Sequence, residues 1–172
     1  MKDVIKAVWL LVLGLFTTVL LYPALHEFGH SLATVLFGGK VVSFHLFPLP
    51  SVYCDVSDVG GLGFVAIGFC GTLIPFIASL TPRVKHFAAW YVLQLIKGIS
   101  ALAFGISLVS LLGHEYGFFI AEDDIIRVLR FWHGGKPFCV IAITSLLLLA
   151  IYSICRQKPI KRLYGYFDIN EK

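Results

Sequence analysis

The sequence has few charged residues: only 14% of its 172 residues are Asp, Glu, Lys or Arg. Soluble domains contain about 25% charged and about 45–50% apolar residues, whereas 58% of this chain is apolar and its mean hydropathy is +0.87. The shortage of charge excludes an ordinary soluble domain, and the excess of apolar residues excludes intrinsic disorder. The remaining class is a small multi-pass protein of the lipid bilayer, which we expect to form one domain over residues 1–172.

Paired cysteines and a strong charge imbalance are also absent. The four cysteines show no CxxC or other paired spacing, which argues against a disulfide framework and against a cysteine zinc site. The formal net charge of +4 is too small to indicate a nucleic-acid partner. No small-residue cleavage site follows the charged start of the chain, so we expect a retained membrane helix rather than a signal peptide.

Long apolar segments predict an all-α membrane protein with about four transmembrane helices. These segments cover residues 4–37, 60–80, 87–112 and 138–155. The first segment would span about 51 Å as a helix, more than the ~30 Å hydrocarbon core requires. We therefore expect a kink at Pro23, or protrusion of one end.

Two connecting stretches have their own patterns. Residues 38–59 mix β-branched residues with prolines, which predicts a short β-prone loop or hairpin. The stretch AEDDIIRVLRFWHGG predicts a short amphipathic helix that ends at Gly134–Gly135.

The distribution of charge predicts the topology. With four crossings, Lys2, Lys6, the basic loop at residues 83–86 and the basic tail at residues 156–172 fall on one side. The acidic stretches at residues 55–58 and 122–124 then fall on the other side. By the positive-inside rule, we expect both termini to be cytoplasmic.

The second apolar segment is rich in glycine. Gly61, Gly68 and Gly71 share one face of the predicted helix, and small residues on one face allow helix backbones to approach closely in lipid. The pattern fits close packing and fits the lining of a site equally well.

Residues 26–30 read HEFGH, an HExxH motif formed by His26, Glu27 and His30. Positions i and i+4 share a helix face, so both imidazoles can bind one zinc ion, while Glu27 can accept a proton from the water that zinc activates. Residue frequencies alone would produce about 0.005 such matches in a chain of this composition. Ionisable groups within an apolar segment also indicate function.

The third zinc ligand is not part of this motif. Catalytic zinc usually has three protein ligands, but Ala33 replaces the glycine of the extended metzincin motif and no histidine follows at the required spacing. The candidates expected on the same side are His45, His114, Glu115, Glu122, Asp123 and Asp124. His45 is the main rival to the acidic cluster.

The stretch HEFGHSLATVLFGGKVVSF, the glycine-rich second helix and the distant acidic residue before a later helix resemble the site-2-protease family of intramembrane zinc metalloproteases. The resemblance covers about residues 20–130. Gly38 or Gly39 matches the glycine after that family's HExxHxxxA stretch, whereas its small-residue position falls on Thr34, with Ala33 one place earlier.

The family's second motif, Asp-Gly-Gly-Arg, supplies its third ligand. Here Asp124 and Arg127 keep the Asp and the Arg at the same spacing, and isoleucines replace the two glycines. The resemblance thus implies Asp124 as the third zinc ligand, with Asp123 as second choice.

Two further differences from the family concern the group that stabilises the oxyanion and the size of the protein. The family often places an asparagine in the glycine-rich helix, but the only asparagine here is Asn170. His45, His114 or Thr72 could substitute for it. A PDZ-like or nucleotide-sensing domain is also lacking, so the chain would be a minimal core (about residues 4–155).

The sequence therefore predicts a zinc metalloprotease that hydrolyses a peptide bond of a transmembrane or membrane-proximal protein. His26, His30 and Asp124 would bind Zn²⁺, and Glu27 would be the general base. One alternative is a non-proteolytic membrane protein whose metal site is structural or regulatory and which binds a partner. Another is a zinc hydrolase that acts on a lipid-linked small substrate.

Overall fold

A computed structural model describes residues 2–81, 84–117, 123–132 and 134–168. These residues are mostly helical, with one two-stranded antiparallel sheet. Four helical stretches are long and apolar enough to cross a membrane: Asp3–Leu36, Gly61–Ser79, Phe87–Gly113 and Lys136–Phe167. The predicted multi-pass helical architecture is confirmed at this level.

The first membrane helix consists of α1 (Lys2–Phe16), a π-helical turn (Thr17–Leu21) and α2 (Tyr22–Leu36). Pro23 lies at the start of α2, where its lack of an N–H removes no hydrogen bond within α2. Gly38, which follows α2 and Phe37, has a φ of +88°, a conformation that glycine adopts without steric cost. The backbone N–H of Gly39 then donates to the carbonyl of Thr34 and closes the last turn.

The predicted hairpin is confirmed. It consists of β1 (Lys40–His45) and β2 (Ser51–Asp55), paired antiparallel with an irregularity between Val41 and Ser43. The strands follow α2 directly, and β2 packs against it. The hairpin is therefore placed over the end of the helix that carries HExxH.

The remaining helices are α3 (Gly61–Ser79), α4 (Phe87–Gly113), α5 (Asp124–Phe131), α6 (Lys136–Arg156) and α7 (Pro159–Asp168). A short 3₁₀ turn, His114–Tyr116, follows α4. Helix α3 packs against α2, α4 packs against α6, and α5 packs against α3.

The amphipathic helix ends before the predicted Gly134–Gly135. Helix α5 ends at Phe131, because Trp132 leaves helical geometry with φ −128° and ψ 76°. Gly135 instead precedes α6, and its carbonyl accepts the first hydrogen bond of that helix from Cys139.

The apolar core lies between α3, α4, α5 and α6. Its buried members are Phe76, Phe104, Leu111, Ile125, Ile126, Val128, Cys139, Ile143 and Ala150. By contrast, α1 exposes most of its large apolar side chains, as expected for a helix that faces lipid. The short helix α5 is thus fixed by the core through one face, and this positions its first residue, Asp124.

Candidate metal centre

His26 and His30 project from one face of α2, and their Nε2 atoms lie 3.0 Å apart. Asp124, the first residue of α5, directs Oδ2 at the same point: this oxygen lies 3.1 Å from His26 Nε2 and 3.2 Å from His30 Nε2. The structure therefore brings together the two histidines of the motif and the preferred third ligand. These three side chains could hold a metal ion.

The spacing of the three atoms fits a small metal ion. Ligand atoms at about 2.0–2.1 Å from a tetrahedral zinc lie about 3.3 Å from one another. The observed separations of 3.0–3.2 Å are close to this edge length. Two imidazole nitrogens and one carboxylate oxygen are also a common catalytic zinc donor set, with the fourth position left open.

The orientation of His30 is set by α3. Its Nδ1 lies 2.8 Å from the backbone carbonyl of Ile67, and a carbonyl can only accept, so Nδ1 carries the proton. In the neutral ring, Nε2 then has a lone pair that points at His26 and Asp124. Lone pairs that converge in this way repel one another unless a cation or protons lie between them, which favours a metal site.

Asp124 is kept in the ionised form that binds metals. Burial by itself raises the pKa of its carboxyl. When no metal is bound and the two rings carry protons on Nε2, hydrogen bonds from His26 and His30 outweigh this effect and hold the pKa well below its usual range. The guanidinium of Arg127 lies 3.8 Å from the other carboxylate oxygen, Oδ1. Asp124 and Arg127 thus lie on one face of α5, as the spacing predicts.

Asp123, the second choice as ligand, has a different position. Its Oδ1 accepts hydrogen bonds from the backbone N–H groups of Ile125 and Ile126, which makes Asp123 the N-cap of α5. Its Oδ2 accepts a 2.7 Å hydrogen bond from the hydroxyl of Ser107 on α4. Asp123 therefore fixes the start of α5, and with it the adjacent Asp124.

Glu27 follows His26 on α2, and its side chain lines the same pocket as the three donors. Its Oε2 accepts a hydrogen bond from the backbone N–H of Val52 on β2 at 3.1 Å. The pocket has a volume of about 490 Å³, and Val52 and Cys54 of the hairpin form part of its wall. The hairpin therefore forms part of the wall of the pocket that contains the three donors.

Glycines of α3 allow the close approach that this geometry needs. A Cβ on Gly71 would lie 2.5 Å from the His30 ring and 2.8 Å from the His26 ring, and a Cβ on Gly68 would lie 2.3 Å from Val128. Gly71 therefore allows the two histidine rings to lie against α3, whereas Gly68 both packs against α5 and lines the pocket. A Cβ on Gly61 would contact no atom of the described residues within 4 Å.

The other predicted candidates lie elsewhere. His45 is exposed at the end of β1, opposite Ser51, and His114 is exposed after α4. Within the part of the chain that is described, neither histidine joins the cluster. Glu122 and the side chain of Glu115 lie outside the described residues.

Tyr22 is a site neighbour that the sequence analysis missed. Its ring centroid lies 6.3 Å from that of His26, and its buried hydroxyl lies beside those of Ser100 and Thr72, without completing a hydrogen bond to any described residue. Thr72 also lines a smaller cavity of about 190 Å³ next to His26. The signal was the spacing, because Tyr22 precedes His26 by four residues and shares its helix face.

Comparison of the chain with protein-family models, curated proteins and solved structures finds no match.

Proposed function

We propose that this protein is a zinc-dependent intramembrane metallopeptidase, similar to the site-2-protease family, that hydrolyses a peptide bond of a membrane-embedded protein. The observation that carries the proposal is the convergence of His26 Nε2, His30 Nε2 and Asp124 Oδ2 within 3.0–3.2 Å of one another. The carboxylate of Glu27 lines the same pocket. A structural zinc site has four protein ligands, whereas the described cluster has three.

His26, His30 and Asp124 would hold the zinc ion. When bound, zinc supplies Lewis-acid polarisation of water and of the substrate carbonyl. The hydrogen bond from His30 Nδ1 to Ile67 fixes the ring so that Nε2 is the ligand atom. Ser107 and Asp123 hold the start of α5 and thereby orient Asp124.

Glu27 is the general base in this proposal. Its carboxylate accepts the proton of the water that attacks the scissile carbonyl and then delivers that proton to the leaving amine. The Val52 N–H donates to Oε2, which leaves Oε1 as the oxygen for proton transfer.

The depth of the site supports a membrane-embedded substrate. His26 lies ten residues before the end of α2, and Gly71 lies ten residues after the start of α3, which places both about 15 Å along the helix axis from that membrane face. A substrate helix must unwind at this point, because an intact helix hides its carbonyls. An extended substrate segment could pair with the hairpin edge by strand addition.

The topology belongs to the same proposal. The positive-inside rule places both termini in the cytoplasm and the hairpin on the opposite side. The π-helical turn at Thr17–Leu21 and the adjacent Pro23 give the first helix a point at which to kink. In this proposal the protein is embedded in the bilayer, and its substrate enters the site from the bilayer.

The decisive experiment compares wild-type protein with Glu27→Gln after reconstitution with a transmembrane test substrate. We expect Glu27→Gln to bind zinc as the wild type does and to lose at least about 100-fold in cleavage rate, the usual contribution of a general base. A zinc chelator should abolish wild-type cleavage. Cleavage by Glu27→Gln at the wild-type rate would contradict the assignment.

One observation favours a second candidate function, a structural or regulatory metal site. The bond from Val52 to Glu27 ties the hairpin to the metal-binding helix, so metal occupancy could control the position of a partner-binding hairpin. In that case the zinc-loaded wild type would cleave no test substrate. Removal of zinc by a chelator would change only the protection of the hairpin amides against hydrogen exchange.

A further inference from the structure

A second pocket lies at the opposite end of the helix bundle. It has a volume of about 560 Å³ and is formed by the end of α3, the last turns of α6 and the start of α7. Trp90, beside this pocket, and Ser107, beside the metal centre, are separated by 17 residues of α4, which corresponds to about 25 Å. The second pocket is therefore well separated from the metal centre along the bundle axis and lies at the membrane face opposite the hairpin.

The lining of this pocket combines basic and polar groups with apolar side chains. Arg156, Arg162, Gln157 and Ser153 supply the polar groups. Apolar side chains, including Leu149, form the remaining wall, and no acidic residue of the described part of the chain lines the pocket. Such a lining suits a ligand with one anionic end and one apolar end.

Arg162 is held in place before any ligand binds. Its Nη2 donates to the backbone carbonyls of Val84 at 2.8 Å and Lys85 at 3.2 Å, and its guanidinium stacks over the ring of Trp90 at 4.8 Å. These contacts use only one of its nitrogens, so Nε–H and Nη1–H remain as donors. In the described residues, neither Arg162 nor Arg156 has a carboxylate within ion-pair distance.

The neighbouring residues are also fixed. The Oε1 of Gln157 accepts hydrogen bonds from the side chains of Trp90 and Gln94.

Lys158 then takes a positive φ of +48°, a conformation that disfavours residues other than glycine. This turn directs α7 back over the bundle, where Tyr166 stacks on Phe87 at 3.8 Å. The pocket is thus built by a tail that packs on the membrane domain.

The depth of the pocket matches the headgroup region. Helix α6 has 21 residues, about 31 Å of helix, which equals the ~30 Å hydrocarbon core, so Arg156 at its end lies at the boundary between hydrocarbon and headgroups. Basic pockets between membrane helices on the cytoplasmic side bind anionic headgroups, and guanidinium groups bind phosphate in a bidentate manner.

We propose that this pocket binds the phosphate group of an anionic phospholipid, with Arg156 and Arg162 contacting the phosphate and an acyl chain lying along Leu149. The lipid would hold α7 against α6 and α4. This proposal does not depend on the peptidase activity, because it uses different residues near the other membrane face.

The test measures binding of individual lipids to the full chain in neutral detergent by native mass spectrometry, with phosphatidylglycerol and phosphatidylcholine as probes. Neutral detergent removes the surface potential that attracts any basic tail. We expect the wild type to bind phosphatidylglycerol about 10-fold more tightly than phosphatidylcholine. Both lipids carry the phosphate, but the choline ammonium of phosphatidylcholine neutralises its charge and is repelled by the two arginines. Arg156→Gln should lose most of this preference.

Lys161→Gln is the matched control. Lys161 is exposed, carries the same charge in the same tail and does not line the pocket, so its loss should change the preference less than twofold. Arg156 is itself exposed, so Arg156→Gln should leave the thermal stability of lipid-free protein unchanged. Equal binding of both lipids by the wild type, or equal losses in the two variants, would overturn the proposal. Displacement of phosphatidylglycerol by millimolar inorganic phosphate would overturn the assignment to a lipid.

Discussion

The carboxylate of Glu27 accepts a hydrogen bond from the backbone N–H of Val52, 3.1 Å away. Glu27 lies next to the candidate metal ligand His26 on α2, and Val52 lies on the second strand of the hairpin. The same side chain is therefore the proposed general base and an anchor for the hairpin. Glutamine keeps a carbonyl oxygen for the anchor but is not a base, whereas alanine removes both functions.

We predict that Glu27→Gln and Glu27→Ala separate these two roles. Both variants should lose cleavage, but only Glu27→Ala should increase amide hydrogen exchange in Ser51–Asp55, by about 10-fold, because a hydrogen bond to a charged group contributes about 1.5–3 kcal/mol. Hydrogen-exchange mass spectrometry of the zinc-loaded proteins measures this difference. Unchanged exchange in Glu27→Ala would show that the hairpin is held by other contacts.

The adjacent residues Asp123 and Asp124 should differ in their effect on zinc affinity. Asp124→Ala removes a ligand atom and should abolish stoichiometric zinc binding. Asp123→Ala removes the N-cap of α5 and the bond to Ser107, so it should lower zinc affinity by about 10- to 100-fold, as changes around metal ligands usually do.

Asp123→Asn is the control for this pair, because asparagine is an equally good N-cap. It should keep most of the zinc affinity in a competition assay with a chelating dye. If Asp123→Ala removed zinc completely and Asp124→Ala did not, the assignment of the two carboxylates would be reversed.

The sequence predicted the membrane helices and the histidine pair because both depend on local patterns. Apolar length determines the spans, and the spacing of His26 and His30 on one helix face brings their rings together. The choice between Asp123 and Asp124 is not local. It depends on the cap geometry of α5 and on Ser107 of α4, and only the resemblance to a known family favoured Asp124.

Two other features also depend on tertiary packing. The bond from His30 Nδ1 to the Ile67 carbonyl requires the register of α2 against α3. The tail helix α7 packs on the membrane domain through Tyr166 and Phe87, although composition alone indicated only a basic cytoplasmic tail. Neither contact leaves a periodic signal in the sequence.

The native cysteines allow a test of the topology. Cys54 lies on β2 near the metal centre, and Cys155 is exposed at the end of α6. In single-cysteine variants, we predict that a membrane-impermeant maleimide labels Cys54 from the outside of intact cells and Cys155 only in inverted vesicles. Labelling of both cysteines from the same side would contradict the four-crossing topology, and the reverse pattern would contradict cytoplasmic termini.

Gly71 of α3 offers a test of the metal centre that changes none of its ligands. An alanine Cβ at this position would lie 2.5 Å from the His30 ring and 2.8 Å from the His26 ring, far inside normal contact, so the rings must move. We predict that Gly71→Ala lowers zinc affinity at least about 10-fold, comparable to the loss of a group that orients a ligand.

Gly98→Ala on α4 is the matched control, because a Cβ at Gly98 meets no described atom within 4 Å. Alanine is the better helix former by about 1 kcal/mol at either position, so helix propensity alone predicts the same small stabilisation for both variants. Zinc affinity from competition with a chelating dye, together with circular dichroism of the zinc-free proteins, separates the two effects. Equal zinc affinity in Gly71→Ala and Gly98→Ala would show that the approach of α3 does not position the histidine rings, since the two substitutions differ chiefly in the rings that the new methyl group contacts.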